Sequence, residues 1–207
     1  MTQVPCETTR DLILVRAIPL FARNGYAAAS MREIAQSVGI SAAALYHHFP
    51  NKQSLYLEAM RHAFAKPEQT VIGPSRTKMT SVERLKQFVQ QFSAMMSANN
   101  DLRTLLQREM LDGDEARLEL LAKEVFHAQF QEFSEFAEEL SPDFDPHLLC
   151  ISLTGLVLNH FHTAPLRRFL PGGRVEHDDP SVIAEHVIKL VLNGVQQHTT
   201  TPEGILG

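Results

Sequence analysis

The chain has 207 residues and a formal net charge of −5, enough length for a sizeable core arranged as one large domain or as a small domain joined to a larger one. It has no run of eighteen apolar residues. The first residues, with Pro5, Glu7 and Asp11, lack the basic-then-apolar order of a signal peptide, so a cytoplasmic protein with no membrane partner is expected. The two cysteines, Cys6 and Cys150, fit no metal or redox spacing, and two free thiols in a reducing compartment follow. Charge is unevenly placed. In residues 1–57 five basic residues (Arg10, Arg16, Arg23, Arg32 and Lys52) stand against Glu7, Asp11 and Glu33, a balance of +2, and the rest of the chain carries −7. A mildly basic head on an acidic body is compatible with phosphate binding at one end.

In chain order the apolar residues recur at helical spacing throughout, and no strict alternation of apolar and polar residues is bounded by turns; the expected fold class is all-α, with about nine helices. Thr8 or Thr9 caps a first helix with Leu12, Val15, Ile18, Phe21 and Ala22 on one stripe and Asn24-Gly25 at its end. Pro19 lies inside it, and a kink is expected there. Ser30 caps a short helix with Glu33 in capping-box position, Gly39 breaks it, and Ser41 caps a still shorter one over residues 42–48. A fourth helix follows from Lys52 to about Lys66, and Pro67 to Thr80, with Gly73 and Pro74, reads as a loop.

The fifth helix carries Val82, Leu85, Phe88, Val89, Phe92, Met95 and Met96. Asp101 then caps a helix to Leu111, and Asp114 a long one to about Leu140 with the stripe Leu118, Leu121, Val125, Phe126, Phe130, Phe133 and Ala137. Pro146 suits the first turn of the next helix, whose run from Leu148 to Leu158 is apolar nearly all round, as in a helix buried on more than one side. Pro180 opens the last helix, with Ile183, Val187, Leu190 and Val191 on one face.

Ser30 to Phe49 has the spacing of a helix-turn-helix: two short helices joined through Gly39-Ile40, the glycine permitting a sharp reversal. Ala35, Val38, Ile40 and Leu45 are placed to form its small core. Ser41, Ala42, Ala43, Tyr46 and His47 face outward from the second helix. Patterning alone leaves two readings, a DNA-binding motif and an ordinary helical hairpin.

Phe21-Ala22-Arg23-Asn24-Gly25-Tyr26, Met31-Arg32-Glu33-Ile34-Ala35, Val38-Gly39-Ile40-Ser41 and Ala44-Leu45-Tyr46-His47-His48-Phe49-Pro50-Asn51-Lys52 resemble the N-terminal domain of the TetR family of bacterial transcriptional regulators. The resemblance covers Thr9 to Ala59. It implies a helix-turn-helix DNA-binding domain over residues 1–57, an effector-binding and dimerisation domain over residues 58–207, a homodimer on a palindromic double-stranded DNA operator, and release by a small-molecule effector. It also implies phosphate contacts by Tyr46 and Lys52, roles their hydroxyl and ammonium suit. Ser30 and Ser41, at helix N-termini, can donate to phosphates as well. Arg32 is the candidate for a base contact, through guanine O6 and N7. His47 faces DNA by the family pattern, whereas His48 packs or bonds within the domain. Ala42-Ala43-Ala44 depart from the longer polar residues common there, which shifts operator choice toward methyl contacts, Arg32 and DNA shape.

In the C-terminal part, Phe92, Met96, Phe126 and Phe130 line an effector cavity or simply pack, and Gln107, His127, Asn159 and His160 are the polar groups available to orient a largely apolar effector. Asn159 and His160 interrupt an apolar helix, where a buried polar group needs a partner. Leu149, Leu153, Leu156, Val157, Val187, Leu190 and Val191, with Gly155 and Gly194 permitting close approach, are expected at the dimer interface. No metal site, cofactor motif or catalytic signature is found, and an all-helical enzyme or ligand-binding adaptor without DNA affinity stands as the alternative.

Overall fold

The computed structural model describes residues 8–64, 79–140 and 142–197. Cys6, most of the loop expected over Pro67 to Thr80, and the tail after Gln197 lie outside them. Among the described residues the structure is helical with no strand: α1 (Thr9–Ala28), α2 (Met31–Val38), α3 (Ala42–His48), α4 (Lys52–Phe64), α5 (Ser81–Ala98), α6 (Asn100–Asp112), α7 (Glu115–Leu121), a π-helical turn (Ala122–Phe126), α8 (His127–Leu140), α9 (Pro146–His162), α10 (Ala164–Arg167), a 3-10 turn (Val175–Asp178) and α11 (Pro180–Gln197). The long helix expected after Asp114 is thus α7, the π turn and α8. The short α10 and the 3-10 turn carry no periodic signal long enough to find in sequence. None of these helices is long and apolar enough to cross a membrane.

Contacts divide the chain into two compact units, α1–α4 with α6, α7 and the π turn in the first, α5 and α8–α11 in the second. In the first, Thr8 caps α1 by accepting from the Asp11 amide at 3.2 Å. Two features of α1 differ from expectation. Its buried row is Ile13, Leu14, Ala17 and Phe21, while Leu12, Val15 and Ile18 are half-buried on its flanks; the helix is apolar on adjoining rows, and its neighbours decide which row faces inward. Pro19 causes no departure from helical dihedrals, because its fixed φ is itself a helical value. The departure comes at Gly25, with φ 77° and ψ 164°, a conformation in which any Cβ would be strained. Tyr56 then meets Phe21 and Tyr26 edge to face, with centroids 5.0 Å and 5.1 Å apart, and Phe21 stacks on Tyr26. At α6, Asp101 is not the cap: the helix begins at Asn100 with Asn99 in the cap position, and Asp101 lies in the first turn, where its charge still favours the helix dipole.

In the second unit, Leu85, Phe88, Val89, Phe92, Met95 and Met96 of α5 are buried with Phe133, Phe136 and Ala137 of α8. Phe88 meets Phe133 at 4.1 Å and Phe92 at 5.6 Å between centroids, and Phe133 stacks on Phe136 at 5.5 Å. Asp145 caps α9 through the Leu148 amide, with Pro146 in the first turn. This helix is buried on one side only: Leu149, Cys150, Leu153, Val157 and Phe161 face inward, whereas Leu148 and Ile151 are 63% and 51% exposed.

Candidate nucleic-acid interface

The helix-turn-helix forms because each local signal agrees with the next. Ser30 and Glu33 make a reciprocal capping box, the Ser30 hydroxyl accepting from the Glu33 amide at 3.2 Å while Glu33 Oε2 accepts from the Ser30 amide at 3.1 Å. Gly39 ends α2 with φ 81°, in the left-handed region, and the Ile40 amide returns to the Ala35 carbonyl at 3.0 Å. Ser41 then caps α3 by accepting from the Ala44 amide at 3.1 Å. Ala35 and Leu45 are buried as expected, Val38 and Ile40 half-buried. Met31, Ile34 and Phe49 complete the core; they stand four residues from Ala35, Val38 and Leu45 respectively, the signal by which they could have been found.

Above this core Ser41, Ala42, Ala43, Tyr46 and His47 are all exposed, as is Arg32 on α2, with Tyr46 51% exposed. These six residues lie on the exposed surface of the motif. Ser30 and Lys52 are engaged elsewhere. The Ser30 hydroxyl donates to Glu33 Oε2 at 2.9 Å. Lys52 Nζ donates to the carbonyls of Tyr26, Ala27 and Ala29 at 2.8, 3.0 and 3.1 Å, which occupies all three ammonium protons and clamps the end of α1 just before Ser30. The same ammonium lies 4.6 Å over the Tyr26 ring. Arg10 supports α3 from behind: it donates to the His48 carbonyl at 3.0 Å, pairs with Glu58 of α4 and lies 4.5 Å over the Phe49 ring.

Sequence reasoning missed a buried ion pair in the same unit. Arg117 Nε donates to Glu109 Oε2 at 2.6 Å, with the Glu109 side chain 1% exposed, and its other nitrogens reach Asp114 at 3.0 Å and Asp112 at 3.4 Å. Its guanidinium lies 4.7 Å over Tyr26. Burial, then Glu109, holds the neighbouring Tyr56 phenol far above its ordinary value, so it stays neutral. Glu109 and Arg117 stand eight residues apart on two helices, a spacing with no sequence signature.

The residues considered for an effector are dispersed in burial. Gln107, Phe126 and His127 belong to the first unit, and Phe92, Met96, Phe130, Asn159 and His160 to the second. Phe92 and Met96 are buried; Phe126, whose ring meets Phe64 at 5.1 Å, and Phe130, beside His147 at 5.0 Å, are half-buried. Gln107, His127 and Asn159 are exposed, and His160 is half-buried. Asn159 therefore needs no buried partner, because α9 leaves one side open. For the same reason Leu149, Leu153, Val157, Val187 and Val191 close the unit's own core, while Leu190 is exposed and Leu156 half-buried.

Fold and motif define a helix-turn-helix protein with a larger helical part. Residues 13–59 match the family described as "Bacterial regulatory proteins, tetR family". It is 32% identical over 83 residues to the biofilm operon icaADBC HTH-type negative transcriptional regulator IcaR of Staphylococcus aureus, a match covering 40% of this chain and 45% of that protein, less than half the relative's length. Among solved structures, a transcriptional regulator FadR from Bacillus subtilis in complex with stearoyl-CoA superposes with a TM-score of 0.71 at 16% identity, over 88% of this chain and 97% of that one. AibR in complex with isovaleryl coenzyme A and operator DNA gives 0.63 at 21% identity, over 88% and 97%. At these identities the two structures show a shared fold.

Proposed function

We propose that the chain is a ligand-responsive transcriptional repressor that binds a palindromic operator as a homodimer and is released by a small, largely apolar effector. The observation that carries this reading is the exposed row Ser41, Ala42, Ala43, Tyr46 and His47 on a short capped helix whose opposite side is anchored by Leu45. A helix with no inward use for its cap and four of its seven residues presents them to a groove. Ser41 and Tyr46 contact phosphates, His47 lies against the duplex, Arg32 reads a guanine edge, and Ala42 and Ala43 meet thymine methyls. Ser30 and Lys52 reach phosphates only by exchanging a bond they already make, and act first by fixing the ends of α2 and α1.

Residues 1–57 form the DNA-binding domain and 58–207 the effector and dimerisation domain of a cytoplasmic regulator. Pairing through α9 and α11 is supported by exposed Leu148, Ile151 and Leu190 and by Gly155 and Gly194, where an added Cβ would meet nothing within 4 Å. Two such faces bury each other in a four-helix arrangement. The acyl-coenzyme A ligands of the FadR and AibR structures and the phenylalanine- and methionine-rich second unit favour an effector with an apolar acyl or aromatic part; the negative regulation named for IcaR favours repression.

Fluorescence anisotropy of the full chain with a labelled duplex from the DNA flanking its gene tests the reading. Tight, salt-sensitive binding is expected, weakened across all sequences by Tyr46→Ala. An adaptor or enzyme without DNA affinity would show no binding to lose.

A further inference from the structure

We propose that the second unit holds a site for a small carboxylic acid with an apolar body, in the cavity bounded by the end of α9, the segment after α10, the 3-10 turn and the start of α11. The cavity measures about 350 Å³, room for a ligand the size of benzoic acid. Val182 and Ile183 supply an apolar wall, and His160, Arg174 and His186 supply nitrogen donors around it.

One half-buried cation joins the walls of this cavity. Arg167 donates to the His160 carbonyl at 2.9 Å, to the His177 carbonyl at 2.7 Å and to Asp178 Oδ1 at 2.7 Å, joining α9 to the 3-10 turn with its side chain only 17% exposed. That pairing also removes the Asp178 carboxylate from the local balance. Arg174 is exposed and turns Nε toward His177 Nε2 at 3.3 Å, which leaves its two terminal nitrogens as a fork suited to a carboxylate. On α11, Glu185 is paired with Lys189 at 2.7 Å. Glu176 also lines the cavity and makes no ion pair among the described residues.

With its imidazoles uncharged the site is neutral, Arg167 being offset by Asp178 and Arg174 by Glu176. His160 and His186 meet edge to face with centroids 5.6 Å apart. Burial, then His186, Arg167 and His177, holds the His160 imidazole below its ordinary value: the group lacks the counter-anion that a bound carboxylate provides. Protonating His160, which a bound carboxylate would favour, strengthens anion binding, and affinity rises as pH falls while the acid stays ionised.

Calorimetric titration of the full chain with benzoate at about pH 6 and about pH 8, and with benzamide as the neutral isostere, tests this. Benzoate binds, more tightly at the lower pH, and benzamide is weaker by about tenfold or more, the loss expected for a charge-assisted hydrogen bond. Arg174→Gln and His186→Asn, both at exposed positions, each weaken benzoate by about the same factor with unchanged circular dichroism. No heat from benzoate at either pH overturns the proposal, as do equal affinities for benzoate and benzamide or two variants that bind like the parent. The site stands apart from the regulator reading: a chain that binds benzoate but no duplex sinks only the latter, and one that binds duplex but no benzoate sinks only the former.

Discussion

Two surfaces of this protein leave side chains exposed for opposite reasons. On α3 a fully buried Leu45 supports small and polar residues, with Tyr46 the one large side chain facing out; such a surface gains little from excluding water and suits a wet, charged partner. On α9 the inward row Leu149, Leu153 and Val157 is matched outward by Leu148 and Ile151, with Leu190 added from α11. Large apolar side chains left in water at several adjoining helical positions are stabilised by an apolar partner. The contrast fits the proposed duplex to one surface and the proposed second copy to the other, by the chemistry each offers.

The comparison breaks most visibly at the apolar surface. Ile151→Glu combined with Leu190→Glu is expected to leave a folded monomer in sedimentation and to lower operator affinity by about 10²–10⁴-fold, the avidity lost when two half-sites are no longer held together; a dimer that survives both charges removes α9 and α11 from the interface. Beneath the polar surface, Leu45→Ala should cost about 2–5 kcal/mol in urea unfolding and weaken DNA binding without changing the oligomeric state. Tyr46→Ala, which removes one phosphate contact, should lower affinity by roughly tenfold or less on every sequence, with stability unchanged. Ser41→Ala removes the α3 cap and should destabilise by about 1 kcal/mol. The smallest effect is on the buried side of α9, where burial pushes the Cys150 thiol up to about 11. The raised value favours the protonated thiol in the folded state, so this contribution to stability is complete below the ordinary value of 9.0 and is lost as pH rises through about 11. Alkylation by iodoacetamide near pH 8 should be slow in the folded chain and fast in urea.

Local signals were legible because each acts within a few residues. Ser30 with Glu33, Gly39 and Ser41 specify two caps and a reversal whatever surrounds them, and the outward row of α3 follows from its length and spacing. What depends on distant partners was not legible. Which row of α1 turns inward is set by α4 and α6, so Ile13 and Ala17 displaced Leu12 and Val15. The run from Leu148 to Leu158 announces burial without saying that one side stays exposed. Lys52 looks like a free cation in sequence, and only the fold brings the Tyr26, Ala27 and Ala29 carbonyls to its ammonium. The Arg117–Glu109 pair needs two helix ends to meet, a tertiary event without a periodic trace.

Selection of bound duplexes from a random-sequence pool by the full-length chain tests the central claim most directly. The predicted outcome is an inverted repeat with half-site centres about one duplex turn apart, recovered by the parent chain and lost with Arg32→Ala and Tyr46→Ala together. Enrichment of a sequence without twofold symmetry, or of the same repeat by that double variant, would contradict it.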